Sequence, residues 1–340
     1  MKTEIVAAID DRSRTLQAAA MRAVELLRKG ELVALPTETV YGLAADALKP
    51  IAVSKIFEAK ERPHFDPLIV HLPGRDWLEP IAVIRDDDCQ LIAKLADHFW
   101  PGPLTVVFPK REIVPDIVTA GLDTVAVRIS SHPVFAQVIE IFGRPLAAPS
   151  ANRFGHVSPT AAQHVRDELD GRIPLIMDAG PTAHGIESTI VAVRDGKIHI
   201  LRRGPVTTEQ LSKFGKIEIA TATGKVSAPG QLPSHYATKT PLRVIDSAKS
   251  FSPGKNHRVG LLAWNSVESE EKFAAILNLS QSQDLREAAA NLFRQLRELD
   301  QSNLDLIVAE RVPLRGLGAA IMDRLQRAAH GPLDAQDKPE

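Results

Sequence analysis

Short apolar runs alternating with helical patterns restrict this chain to an α/β fold. Residues 31–35, 68–72, 104–108, 124–129 and 175–177 each have strand length and stop at Pro or a polar residue. Between them, 15–29, 51–60, 87–98, 133–142 and 160–169 carry apolar residues at helical spacing. Leu16, Ala19, Ala20, Ala23, Val24, Leu26 and Leu27 form the first such face, and Gly30 stands where a C-terminal cap belongs. Residues 188–201 read as a hairpin, with Ile190, Val191 and Val193 before an Asp195-Gly196 turn and Ile198 and Ile200 after it. Strands mixed with helices in this way predict an α/β domain with a mixed sheet.

The texture changes over 219–241, which is rich in Thr, Gly, Ser, Pro and Lys and reads as a linker. The alternation then restarts: strands at 242–246, 259–264 and 304–309, helices at 268–278, 284–300 and 316–329. Leu285, Ala288, Ala289, Leu292, Phe293, Leu296 and Leu299 give the 284–300 helix a clear apolar face. The pattern suggests a small, doubly wound, Rossmann-like α/β domain. The expected organisation is a first α/β domain over 1–218, a linker over 219–241, a small C-terminal domain over 242–330 and a flexible tail over 331–340. A length of 340 residues agrees with two domains.

Composition excludes several classes. Net charge is −1, which argues against a surface coated in cations for gripping nucleic acid. Cys89 is the only cysteine, so there is no internal disulfide and no cysteine-based metal cluster. The N-terminus has no signal-peptide core, and no apolar run approaches the ~20 residues of a membrane helix. A cytoplasmic protein without a membrane segment is expected. No P-loop, His-Glu-x-x-His or Gly-x-Ser-x-Gly motif is present. Gly316-Leu-Gly318 echoes a dinucleotide loop but lacks its third glycine, so close packing at a helix start is the favoured reading.

The first domain carries small-polar and cationic clusters instead. Lys60-Glu-Arg-Pro-His-Phe-Asp-Pro-Leu-Ile-Val-His71 sets cations on a Pro-bounded turn that runs into a strand, a way of presenting charge to an anion. Thr124, Ala126 and Arg128 share one face of a strand. Pro149-Ser-Ala-Asn152, Ser158-Pro-Thr160, Glu187-Ser-Thr189 and Leu201-Arg-Arg-Gly204 lie at other element ends. Singly, each has a plain explanation as a turn, a cap or a surface partner. Together, Lys60, Arg62, Arg128 and Arg202 with the hydroxyl residues would make an anion-binding cleft beyond the strand ends.

These residues also carry a resemblance. Pro36-Thr-Glu-Thr-Val-Tyr-Gly-Leu43, Lys60-x-Arg-Pro with Pro67-Leu-Ile-Val-His71, Trp100-Pro-Gly-Pro-Leu-Thr105, Ala120-Gly-Leu-Asp-Thr-Val-Ala-Val-Arg128, Ala148-Pro-Ser-Ala-Asn152 and Glu187-Ser-Thr-Ile190 occur in order within 14–206. They resemble the YrdC-like L-threonylcarbamoyladenylate synthase family in its longer, two-domain form. Ala228-Pro-Gly230 and His235-Tyr-Ala237 resemble that family's linker, and 242–330 its extra C-terminal domain. The resemblance implies a YrdC-like twisted mixed sheet and a nucleotidyltransferase. This would convert L-threonine, bicarbonate and ATP to L-threonylcarbamoyladenylate and pyrophosphate, with Mg²⁺ accompanying the ATP. A separate transferase would then use the product for N6-threonylcarbamoyladenosine in tRNA.

Carried over motif by motif, the resemblance gives threonine contacts at Thr39, His71, Arg128 and Ser188. It gives nucleotide contacts at Arg62, Asp66, Thr124, Ser150, Ser158 and Arg202, with Asn152 in the same motif. Tyr236 would close over the nucleotide. Lys60 and Arg62 would serve catalysis near the phosphates, and no protein metal ligands are implied. Asp66 stands where many relatives have Asn or Lys, Gln231-Leu-Pro-Ser234 where they carry basic residues, and Thr238 where proline is usual. Two other readings fit the residues less well. An RNA-binding module is disfavoured by the near-neutral charge and 5% aromatics, although direct tRNA contact stays open. A carbamoyl-transfer module of a larger maturation enzyme is disfavoured by the lack of zinc-binding cysteines.

Overall fold

The computed structural model describes residues 2–8, 14–63, 65–219, 236–254, 257–265 and 270–329. Most of the expected linker (220–235) and the expected tail (331–340) lie outside the described residues. The chain divides into two compact units. The first comprises Met1–Phe154, Pro159–Ala183 and Glu187–Gln231, the second Gly155–Ser158, His184–Ile186 and Leu232–Glu340.

The first unit begins with β1 (Glu4–Ala7), α1 (Arg14–Arg28), β2 (Val33–Leu35), β3 (Gly42–Asp46), α2 (Pro50–Lys60) and β4 (Ile69–His71). It continues with α3 (Leu78–Ile81), α4 (Asp86–Phe99), β5 (Leu104–Pro109), α5 (Asp116–Thr119), β6 (Thr124–Arg128), α6 (Pro133–Phe142) and β7 (Leu146–Ala147). The last elements are α7 (Ala162–Leu169), β8 (Leu175–Asp178), the hairpin β9 (Thr189–Arg194) and β10 (Lys197–Arg202), α8 (Thr208–Leu211) and β11 (Lys216–Ile219). The strands form one mixed sheet in the order β1-β8-β2-β3-β7-β4-β6-β5-β9-β10-β11. The strands and helices expected in this region all occur, with ends shifted by one or two residues at most. Four strands were not anticipated. In β3 the residues Gly42-Leu-Ala-Ala-Asp46 are small and carry little strand preference, so pairing with β2 and β7 makes the strand.

Helix packing follows the apolar stripes. Leu16, Ala20, Ala23 and Leu27 of α1 join Phe135 and Val138 of α6 over Val33, Leu35, Leu146, Leu175 and Met177 of the sheet. Pro133 starts α6 with its φ already helical, and Gly143 ends it at φ 74. On the opposite side Ile56 and Phe57 of α2 and Leu95 of α4 enter the main core with Val70, Val106, Val127 and Val191. A third apolar set, Ile69, Val107, Ala126, Ile190 and Ala192, lines the other face of those central strands.

The second unit contains β12 (Leu242–Ile245), β13 (Val259–Ala263), β14 (Ala275–Asn278), α9 (Leu285–Asp300), β15 (Leu306–Glu310) and α10 (Gly318–Ala329). Its sheet is parallel throughout, in the order β12-β15-β13-β14. The helix expected over 268–278 is corrected: 270–272 make one 3₁₀ turn and 275–278 are the strand β14. A short apolar run fits either period, and pairing of Gly260 with Ala275 through Ala263 with Asn278 decides for the strand. Asp284 caps α9 by accepting from the Arg286 N–H at 2.6 Å and the Glu287 N–H at 3.3 Å. Where a doubly wound sheet has helices on both faces, one face here is covered by Ala248, Phe251 and Phe273 of the 3₁₀ segments and their surroundings. Gly318 opens α10 so close to the Pro313 carbonyl that a Cβ would lie 1.7 Å from it, which accounts for this glycine by packing.

Glu310 ends β15 with its carboxylate buried. Oε1 accepts from the Ala248 N–H at 2.7 Å, and Oε2 accepts from the N–H groups of Trp264 and Asn265, both at 2.9 Å. One side chain thus satisfies the loops that follow β12 and β13. Replacing a carboxylate that meets three main-chain donors, two of them buried, should cost about 1.5–3 kcal/mol. Glu310→Gln is therefore expected to lower the chemical-denaturation midpoint, with the exposed Glu298→Gln as control. Equal midpoints would show that the brace contributes nothing.

Candidate active site

The register of the central strands assembles the first part of the site. β4, β6 and β10 run parallel, and His71, Arg128 and Arg202 are their last residues. β5 and β9 start at the same end, with Thr105 near the start of one and Ser188 just ahead of the other. His71 pairs with Arg128, Ile69 and Val107 with Ala126, and Ile190 with both Thr105 and Arg202. Paired residues point to the same side of a sheet. The polar side chains therefore border an apolar floor made by Ile69, Val107, Ala126, Ile190 and Ala192.

Arg128 is buried and held on three sides. Nε donates to the Gly102 carbonyl at 3.2 Å, Nη1 to Thr39 Oγ1 at 3.0 Å and Nη2 to Glu38 Oε1 at 2.6 Å. Thr39 Oγ1 also meets Thr37 Oγ1 at 2.8 Å, and Ser130 Oγ donates to the other oxygen of Glu38. Burial pushes the Glu38 carboxyl up, but the Arg128 charge and the hydrogen bonds from Ser130 and Arg128 outweigh it and hold the pKa at about 2. The same surroundings act on His71 in one direction. Burial first, and then the Arg128 charge, push its pKa down to about 3, against a smaller opposing pull from Glu38. His71 is neutral at physiological pH, packs on Phe135 with ring centroids 4.6 Å apart, and accepts no hydrogen bond at Nδ1.

The Lys60–His71 segment forms the second part. α2 ends at Lys60, and Glu61 leaves the helix in the left-handed region at φ 53, which turns the chain toward Arg62. Lys60 Nζ donates to the Ser150 carbonyl at 2.6 Å and to the Asn152 carbonyl. This ammonium, expected near phosphates, binds the main chain of the Ser150–Asn152 loop. Its pKa is pushed well below the usual lysine range, by burial and then by repulsion from Arg62. Asn152 Nδ2 donates to the Arg153 carbonyl at 2.7 Å. Arg62 lies 2.8 Å from the Asp66 carboxylate, and both are buried.

The third part ties the start of β5 to the hairpin. Ser188 Oγ meets Thr105 Oγ1 at 2.8 Å, and Arg202 donates to Ser188 through Nε to the carbonyl (3.1 Å) and Nη2 to the hydroxyl (3.0 Å). Thr124 opens β6 at the end opposite Arg128 and is half-buried. Ser158 and Tyr236 belong to the second compact unit. There the Tyr236 ring stacks on Phe293 at 5.2 Å, with the Arg324 guanidinium 5.3 Å from its centre. Four polar groups that hold site residues were not singled out from the sequence: Glu38, Ser130, Thr105 and the Gly102 carbonyl. Glu38 and Thr105 lie inside conspicuous motifs, and Ser130 lies two residues beyond Arg128. Among the described residues, no group of three or more His, Cys, Asp and Glu side chains could hold a metal ion.

The depressed pKa values predict acid sensitivity. For His71 the folded value of about 3 lies below the ordinary 6.5, so the unfolded chain binds a proton that the folded chain refuses. Stability from this site is full above pH 6.5 and is lost as pH falls toward 3. Glu38 contributes similarly above 4.5 and loses its contribution as pH falls toward about 2. Melting temperatures followed from neutral pH downward should decline, and His71→Asn should flatten the decline. An equally steep curve for the variant would assign acid sensitivity to other groups.

Residues 25–204 match a protein family described as telomere recombination, and residues 206–330 match the threonylcarbamoyl-AMP synthase C-terminal domain. The chain is 41% identical over 326 residues to the threonylcarbamoyl-AMP synthase of Pyrococcus abyssi, covering 90% of this chain and 93% of that protein. It is 39% identical over 324 residues to the corresponding protein of Bacillus subtilis, covering 91% and 92%. The crystal structure of the P. abyssi protein complexed with L-threonine matches with a TM-score of 0.87 at 37% identity, over 96% of this chain and 98% of that one. With these matches spanning both of its units, the chain belongs to the threonylcarbamoyl-AMP synthase family.

Proposed function

We infer that this chain forms L-threonylcarbamoyladenylate and pyrophosphate from L-threonine, bicarbonate and ATP. The observation that carries the reading is a set of buried cations, Arg128 beside neutral His71 and, separately, Lys60 and Arg62 with Arg202 near them. Such a site suits a reaction in which two anionic partners must be aligned and neutralised. The threonine amine and bicarbonate give a carbamate with loss of water. A carbamate oxygen then attacks the α-phosphorus of ATP, and the bond from that phosphorus to the bridging oxygen breaks to release pyrophosphate.

Arg128 has committed three of the five N–H donors of a guanidinium, leaving two for the threonine carboxylate. Thr39 and Ser188 would border the same substrate. Neutral His71 brings no further positive charge to the amine, and its Nδ1 can accept a hydrogen bond from it. Arg62 and Arg202 would meet the phosphates, with Ser150 and Thr124 adding nucleotide contacts from the same unit. Lys60 would act by fixing the Ser150–Asn152 loop. Mg²⁺, arriving with ATP, would offset triphosphate charge, its ligands coming mainly from the nucleotide. The product is a mixed anhydride suited to a separate transferase acting on tRNA. No helix among the described residues is long and apolar enough to cross a membrane.

Purified protein given ATP, threonine and bicarbonate should release pyrophosphate only when threonine is present, and threonine-independent release or none would sink the reading. Arg128→Lys should reduce kcat/KM for threonine by about 10- to 100-fold, since an ammonium cannot reproduce the guanidinium fork. Arg62→Ala should lose most turnover while remaining folded by circular dichroism. Activity within a few-fold of the parent would remove Arg62 from the phosphate site.

A further inference from the structure

Asp66 is the site residue with the least ordinary surroundings. It lies on the turn between α2 and β4, next to Pro67, with none of its surface exposed. Oδ2 is 2.8 Å from Arg62 Nη2, but the guanidinium directs its hydrogen bonds at the main chain: Nε to the Asp66 carbonyl at 3.2 Å and Nη2 to the Pro67 carbonyl at 2.9 Å. Neither carboxylate oxygen accepts a hydrogen bond. Glu38 and Glu310, the other buried carboxylates described above, are each met by well-placed donors. Asp66 has only charges for company: Arg62 in contact, with Lys60 and Arg202 near enough to act on it. Burial raises its pKa, and those three cations pull against the rise.

The cations have the converse need. Lys60 and Arg62 are buried and repel each other; Glu168 and Asp66 both draw on Lys60, while Asp66 is the anion that acts on Arg62, and a buried cation without a nearby anion is strongly unfavourable. We propose that Asp66 is a built-in counter-ion that stands in for phosphate: it balances Arg62, Lys60 and Arg202 in the free enzyme, competes with the triphosphate for Arg62, and so sets the affinity for ATP. The proposal rests on the ATP-dependent reading above. It explains why the carboxylate is held by charge and not by directed hydrogen bonds, since a placeholder must yield its partner when a better acceptor arrives. Triphosphate oxygens are such acceptors, being able to take charge-assisted hydrogen bonds from the guanidinium.

The test is Asp66→Asn, which keeps the shape and removes the charge. The free variant should melt at a lower temperature than the parent, because its cations lose their counter-ion. The KM for ATP should fall by about three- to ten-fold, as expected when one competing charge is removed, while the KM for threonine moves less than about two-fold. Inorganic tripolyphosphate should raise the melting temperature more in the variant than in the parent. A purely structural Asp66 would instead lower stability equally with and without polyphosphate. An unchanged or higher KM for ATP, or an equal or smaller tripolyphosphate shift, overturns the proposal. If the variant does not fold alone, Asp66→Ser carries the same measurements, and failure of tripolyphosphate to rescue either variant also overturns it. The tripolyphosphate arm needs neither threonine nor turnover. An inactive parent would therefore count against the synthase reading and leave the counter-ion test standing.

Discussion

The buried pair of Arg128 and Glu38 is the interaction on which the rest of the site depends. Taking both charges out of water is unfavourable unless each is met by good partners. Here the partners come from separate parts of the chain: Thr39 and Glu38 from the turn after β2, Gly102 from the turn before β5, and Ser130 from just beyond β6. Removing either charge would leave the other stranded in a dry environment. The pair therefore fixes the relative positions of these segments and presents the remaining edge of the guanidinium in one orientation. His71 shares the face: burial keeps it neutral first, and the fixed Arg128 charge pushes the same way against a smaller pull from Glu38.

The site works by neutralising charge, and its parts are built accordingly. An apolar floor from five strand residues lowers the local polarity and strengthens each charge placed around it. Short hydroxyl side chains hold single cations in place: Thr39 accepts from Arg128, and Ser188, itself paired with Thr105, accepts from Arg202. Lys60 is spent on two carbonyls, so a loop that could otherwise move is tied to the end of a helix.

Much of this was legible in the sequence, because the signals were local. The strands with branched apolar residues, the helices with a stripe, and the motifs ending in Arg128, Asn152 and Arg202 all announced themselves within a dozen residues. What was not legible depends on distant partners. Glu38 looked like one acid among threonines, and its role appears only when Arg128, 90 residues away, is brought beside it. Lys60 shows in the sequence only as a cation on a turn, and its hold on the carbonyls of Ser150 and Asn152 appears only in the fold. The strand at Ala275–Asn278 carries a run that suits a helix equally well, and its neighbour β13 makes the choice.

The Glu310 brace in the second unit has a consequence for how that unit can vary. Three amides from two different loops converge on one carboxylate, so each of positions 248, 264 and 265 must keep an N–H. Proline is excluded at all three, however exposed the rest of each loop becomes. Nor can either loop lengthen at its strand end without first passing through a state in which the carboxylate has lost a donor. The ends of β12, β13 and β15 must therefore change together or stay as they are.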